Sequence, residues 1–411
     1  MKPINFRRVL IISGLLILVI VFSILWLRMI STLAERSGSD FISAYTGGRV
    51  ADRWGAANVY NLEYQQAVQA EVVGFDLAAG QVLMFNHPPY LVPFLALLMD
   101  ENYIGSLVRY VLVMVALYAA ALAVIWRLLR LKGWQRSPAA LAVAGLATFY
   151  PLFISLVNTQ DTALMVLGGV LVLYGLLTRR GWLAGFGLAL TTVRPQVTVL
   201  LALPFLFRRQ RIFLWFCAAA AVLGLVSLLV VGPGGLQAYL RLLLLTAGGQ
   251  VYGMQEAAMV NLVGLLTRFG PVLGTQAIHT IGWVVYGATL IGLCVVWARS
   301  QEIGEKQIGL AVALTVFAVP HLHYHDLTLL VVALLAVILI LVRGSFLHEQ
   351  TAALIPLVLS LVLLLSNSAL VLKYNLPYLV MLLLVLILWV PGALFRPREK
   401  SNKRQPDGNP K

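Results

Sequence analysis

Six short polar segments stand out against a chain that is otherwise almost wholly apolar. They are Asp40; Asn86-His87-Pro88-Pro89-Tyr90; Asn158-Thr159-Gln160-Asp161; Arg194-Pro195; Asn261; and His321-Leu322-His323-Tyr324-His325-Asp326. Ionisable side chains are expensive among lipid-facing helices, so those that are kept there mark functional sites by default. Asp40 is a carboxylate able to take up a proton. Arg194 is a lone cation inside an apolar stretch and needs an anionic partner, a phosphate or an aspartate. The histidines can hydrogen-bond hydroxyls or an anion.

Each residue also has a plainer reading. Ser39 and Asp40 are good N-cap residues for a helix running through Phe41–Val50. His87 precedes Pro88-Pro89 and could simply enter a helix with proline in its first turn. Asp161 could cap the helix that follows it. Histidines 321, 323 and 325 with Asp326 resemble a metal set, and in a helix His321 and His325 would meet at i and i+4 to hold zinc or another divalent ion. Hydrogen bonding of substrate by these histidines is the preferred reading, and no cofactor is expected.

The elements that must position these residues are membrane spans. Of 411 residues 60% are apolar and only 11% charged, with a mean hydropathy of +0.89, far outside the soluble range. Apolar runs of spanning length lie near 9–29, 104–126, 139–157, 162–178, 212–231, 276–297, 326–342, 353–371 and 376–394. Residues 182–207, with Arg194-Pro195 at their middle, are too short for two full spans and are expected to form a hairpin of half-length helices. Residues 307–320 make another short span that ends at the histidine cluster. Broken helices belong where protein or a water-filled cavity covers the freed backbone, so these breaks point to a site.

The net charge of +14 might suggest nucleic acid, yet the basic residues form no stripe. They lie between apolar runs as a topology signal. With the N-terminus inside, about 21 of the 30 Lys and Arg lie inside and about 11 of the 16 Asp and Glu outside. The six polar segments then share the outer side. The first run is expected to be a retained anchor rather than a signal peptide. Helical pieces are expected on the membrane surface at Phe41–Trp54, Leu62–Val73 and Leu236–Ala247. Cys217 and Cys294 sit in apolar runs and offer no disulfide framework. The tail 396–411 is polar and expected to be a disordered, basic cytoplasmic end.

Ser39-Asp40-Phe41 with Tyr45 nearby, Val59-Tyr60, and His87-Pro88-Pro89-Tyr90 leading into Leu91–Leu98 resemble the start of the family 87 glycosyltransferases, once listed as a domain of unknown function. Asn158-Thr159-Gln160-Asp161 resembles that family's Gly-Gln-Asn turn, Arg194-Pro195 its Lys-Pro hairpin, and Pro320-His321 through His325-Asp326 its Pro-His…Tyr-Asp stretch. Order and spacing agree along nearly the whole chain. The resemblance implies an all-α integral membrane protein of GT-C type, a multispanning bundle over 1–395 with surface helices on an outer loop at 31–87; the topology above gives it about twelve spans including short or re-entrant ones. It also implies a bacterial inner-membrane enzyme, with its site facing outside, that takes a hexose, mannose in the known mycobacterial kin, from a polyprenyl-phosphate carrier to a lipid or glycan acceptor.

Carried over residue by residue, Asp40 becomes the general base. Arg194, which replaces the usual Lys and changes the geometry toward a bidentate fork, holds the donor phosphate with His321 and His325. Tyr45, His87, Asn158, Gln160, Asp161, His323 and Asp326 are expected to bind substrate. Asp161 departs from the family pattern, which has a neutral amide there. The chain carries no Gly-rich phosphate loop, consistent with a sugar delivered on a membrane lipid rather than a nucleotide. One base without a nucleophilic carboxylate implies inversion. Rival readings are another GT-C transferase acting on lipid A or protein, and a transporter or flippase. A transporter would be expected to show paired repeats.

Overall fold

The computed structural model describes residues 6–32, 40–247, 255–269, 273–366 and 376–389. Within them the chain is helical, with no strand. The tail 396–411 and the far ends of the expected spans 353–371 and 376–394 lie outside the described residues.

Five helices are long and apolar enough to cross a membrane: Val9–Ser31, Tyr103–Leu131, Gln210–Ala247, Thr275–Arg299 and Tyr324–Arg343. A sixth crossing results if the bent pair Arg136–Ala147 and Tyr150–Val157 is one span. The expected total of about twelve, which counts short and re-entrant spans, is not reached by length and composition among the described residues, where several of the expected runs form helices shorter than a bilayer. Thr162–Leu177 has 16 residues and Glu305–Ala318 has 14, about 24 and 21 Å at 1.5 Å per residue, against a hydrocarbon core of about 30 Å.

The hairpin forms as expected. Gly181–Leu190 rises from the basic turn Arg179-Arg180, a short 3₁₀ turn at Thr191–Val193 carries the chain over, and Pro195–Ala202 and Pro204–Phe207 descend. The arms are only about 15 and 20 Å long, so the tip at Arg194 is recessed within the bundle. The basic ends are tied together: Arg208 Nη2 donates to the Gln301 carbonyl at 2.8 Å, and Arg343 pairs with buried Glu305 at 2.6 Å.

Small residues let the short helices pack closely enough to hold the tip. A Cβ on Gly168 would lie 2.5 Å from the Gly187 carbonyl oxygen, and one on Gly187 would lie 2.6 Å from that of Gly168. Helix Thr162–Leu177 and the first hairpin arm thus touch backbone to backbone, the usual means of helix association where lipid supplies no hydrophobic drive.

Two expected surface helices form with the expected ends, Phe41–Trp54 and Leu62–Val73, but the first is buried from Phe41 through Val50 rather than lying on a surface. The third, Leu236–Ala247, is not separate. It continues the span that starts at Gln210 across a break at Gly232 (φ 67°, ψ 177°), followed by Pro233. That backbone conformation is essentially open only to glycine, and it redirects the far half of the helix over the cavity described next.

Candidate active site

Helix Leu62–Val73 presents Gln65 and Gln69 one turn apart, and both grip the extended stretch before His87. Gln69 donates to the Leu83 carbonyl at 2.8 Å and accepts from its N–H at 3.0 Å, and Gln65 accepts from the Phe85 N–H at 2.9 Å. Tyr60 completes the clamp by donating to the His87 carbonyl at 2.7 Å. His87 is thereby aimed at the N-terminus of Thr162–Leu177, where its Nδ1 lies 2.7 Å from Asp161 Oδ2.

Asp161 is delivered by a tight helix stop. Helix Tyr150–Val157 ends with Thr159 in the left-handed region (φ 55°), Thr159 N–H donating to the Leu156 carbonyl and Gln160 N–H to that of Ser155. This is a Schellman stop with threonine where glycine is usual, at a cost of about 1 kcal/mol. It turns Gln160 and Asp161 toward the hairpin tip. Arg194 Nη2 donates to Gln160 Oε1 at 2.8 Å and lies 3.3 Å from Asp161 Oδ1, an ion-pair contact without hydrogen-bond alignment. Gln160 Nε2 in turn donates to Asp40 Oδ2. A continuous chain therefore runs from Asp40 through Gln160 to Arg194, then through Asp161 to His87.

Asp40 precedes helix Phe41–Trp54, but its side chain caps nothing. Its carboxylate is spent on Gln160, so the plain capping reading fails. Asp161 likewise makes no cap bond. Burial pushes its carboxyl up, yet Arg194 and His87 outweigh that and hold it well below the usual carboxylate range.

The histidine segment closes the opposite wall. Asn261 donates to the carbonyls of Val319 at 2.6 Å and Pro320 at 2.8 Å, fixing the end of helix Glu305–Ala318. Asp326 Oδ2 accepts from the His323 N–H at 3.0 Å and lies 3.5 Å from His325 Nε2. The stretch is extended at His323 and 3₁₀ from Tyr324 to Leu329, so His321 and His325 never reach the i, i+4 stacking of an α-helix. Instead His321 turns toward His279, with ring centroids 6.4 Å apart, and His279 pairs with Glu256 at 2.5 Å. Burial pushes the His321 and His323 imidazoles down, which keeps them neutral. Among the described residues no group of three His, Cys, Asp or Glu is placed to hold a metal ion.

Asp40, His87, Gln160, Arg194, His321, His323, His325 and Asp326 all line one cavity of about 420 Å³. Three other expected site residues do not. Tyr45 is buried against Phe41 and Tyr103 and donates to the Asp100 carbonyl at 2.9 Å. Asn158 ends its helix outside the cavity lining, and Asp161 stands behind Arg194 and His87 rather than on the cavity surface. Conversely, Ser43, Tyr110, Gln196 and Trp283 line the cavity without any sequence signal, since a serine, a glutamine or an aromatic residue in or beside an apolar helix looks like packing.

Residues 85–320 match the family model of glycosyltransferase family 87. The chain belongs to that family. No curated protein and no solved structure matches it. The glycosyltransferase is a multi-pass membrane protein, and the matched stretch contains His87, Gln160, Asp161 and Arg194. The chemistry available in the cavity suits group transfer: a carboxylate oriented by an amide, a guanidinium whose Nη1 has no protein partner, and neutral imidazoles able to meet hydroxyls.

Proposed function

We propose that this glycosyltransferase moves a hexose, mannose in the first instance, from a polyprenyl-phosphate carrier to a lipid or glycan acceptor, with inversion, at the outer face of a bacterial inner membrane. One observation carries the reading: Asp40 and Arg194 share a single cavity and are joined through Gln160. Asp40 takes the acceptor hydroxyl proton as that oxygen bonds to the anomeric carbon. The bond from that carbon to the phosphate oxygen breaks, and Arg194 holds the departing lipid phosphate.

Three further observations support it. The cavity lies at the ends of helices away from the Arg- and Lys-rich turns, which supports an outward-facing site under the positive-inside rule. The site is recessed at the tips of helices too short to cross the bilayer, so a phosphate on a lipid can reach it from within the membrane. Asp326 is buried, its Oδ2 taken by the His323 amide and its Oδ1 sealed away, whereas Asp40 is only half-buried; this favours Asp40 as the base and single displacement. His323 and Asp326 are assigned to the substrate.

The test incubates purified protein with radiolabelled polyprenyl-phosphate-mannose and a membrane lipid extract of its host, followed by identification of the labelled product. Label transfer by the wild type and its loss in Asp40→Asn, with donor binding retained, are expected. Full activity of Asp40→Asn rejects the base assignment. Transfer only from a different carrier rejects the donor.

A further inference from the structure

Asp161 spends its two carboxylate oxygens on two different partners. Oδ1 faces Arg194 at 3.3 Å and Oδ2 faces His87 Nδ1 at 2.7 Å. Its side chain is only 3% exposed and does not line the large cavity, whereas Arg194 and His87 both do. One buried anion thus aims two nitrogen-rich groups at the same space. Each has a donor position left over. Arg194 Nη1 makes no hydrogen bond to protein and, unlike the buried Nε, is not among the sealed unpaired atoms. His87 Nε2 makes no hydrogen bond to protein and is not among the buried unpaired atoms, and His87 lines the large cavity.

The charge balance says what that space can accept. With His87 neutral, Asp161 and Arg194 cancel, and the remaining charges on the cavity wall are the carboxylates of Asp40 and Asp326. An arriving phosphate would then meet net negative charge, and a neutral ring that gives its Nδ1 proton to Asp161 would point a lone pair at it. Protonation of Nε2 reverses both effects, turning the lone pair into a donor and adding a positive charge.

The geometry points to His87, as an imidazolium held by Asp161, being the second arm of the phosphate cradle beside Arg194, with a proton taken up as the anion binds. This rests on the proposed lipid-phosphate donor and deepens it. It moves the cradle away from His321, which faces His279 and the Ala247 carbonyl at 3.3 Å. The charged and titratable groups around the ring are Asp161, Arg194, Asp40 and Tyr110, with Tyr60 on its own carbonyl, Tyr90 beside Asp161, and the cavity histidines 321, 323 and 325 opposite. Only Asp161 contacts the imidazole through a hydrogen bond.

The probe is a short isoprenyl methyl phosphodiester, which carries a single charge and does not titrate in the histidine range, compared with the uncharged isoprenyl methyl ether. Calorimetry on the full chain in detergent, in buffers of different ionisation enthalpy, reads affinity and proton uptake together. The wild type is expected to prefer the diester, take up a proton as it binds, and bind it more weakly as the pH rises. His87→Gln keeps a neutral donor, and is expected to bind the diester at least tenfold more weakly at low pH without that proton uptake. Asp161→Asn should also abolish the uptake, and melting curves establish that both variants are folded.

Unchanged proton uptake in folded His87→Gln overturns the cradle while leaving the donor reading intact. So does a wild type that prefers the diester without taking up a proton, a result that needs no variant. A wild type that does not distinguish diester from ether overturns the donor reading, and this inference with it.

Discussion

Replacing Gln160 by Glu tests the chain of contacts at its most informative link. Gln160 is buried, its amide oxygen accepts from Arg194 at 2.8 Å and its amide nitrogen donates to Asp40. Glutamate preserves the first contact and nearly the same volume, but sets an acceptor against the Asp40 carboxylate. Two carboxylates at hydrogen-bond distance, about 3 Å, repel by about 5 kcal/mol at an effective dielectric of about 20. Arg194, bound to the same side chain, offsets about half or more of that, leaving about 2 kcal/mol. One pH unit corresponds to about 1.4 kcal/mol, so the acid limb of the kcat/KM profile should rise by one to two units as the pair shares a proton. The assay is sugar transfer from limiting donor between pH 5 and 9, beside Gln160→Met, which loses both contacts and should lower the rate without moving the limb. A Gln160→Glu profile that superimposes on the wild type, in protein with an unaltered melting curve, refutes the idea that Gln160 orients the base.

Arg194→Ala should raise the donor KM tenfold to a hundredfold, since a hydrogen bond to a charged group contributes about 1.5–3 kcal/mol; steady-state kinetics at fixed acceptor measures it. Gly168→Ala puts a Cβ 2.5 Å from the Gly187 carbonyl, so a loss of about 1–3 kcal/mol in thermal or denaturant unfolding is expected, together with lower activity because Arg194 rides on that contact. Burial pushes His323 down to about 4 in the folded protein, whereas in the unfolded chain it protonates at the ordinary histidine value of about 6.5. Stability should therefore fall as the pH drops below about 6.5, and a melting series on His323→Gln should show a shallower fall.

The amino-acid pattern alone settled that the chain lives in a membrane, because hydropathy and the placement of Arg and Lys follow from the cost of moving charge into lipid and need no knowledge of packing. The same cost singled out Asp40, His87, Gln160, Arg194 and the histidine segment, whose side chains line one cavity. Helices Phe41–Trp54 and Leu62–Val73 were legible to the residue, since periodicity and end signals are local.

What each polar residue does could only come from tertiary structure. Asp161 and Gln160 are neighbours in sequence, yet the stop at Thr159 puts the amide on the cavity wall and the carboxylate behind it. Tyr45 lies one and a half turns from Asp40 and packs into an aromatic cluster instead. Span number is not legible in the pattern, because an apolar run records that a segment avoids water, not whether lipid or protein covers it. Leu330–Arg343 is buried by other helices over most of its length, and the short arms around Arg194 are long enough only because they end in a protein-lined cavity. Burial against a neighbour is a property of the assembled bundle, and no local stretch of sequence encodes which neighbour that will be.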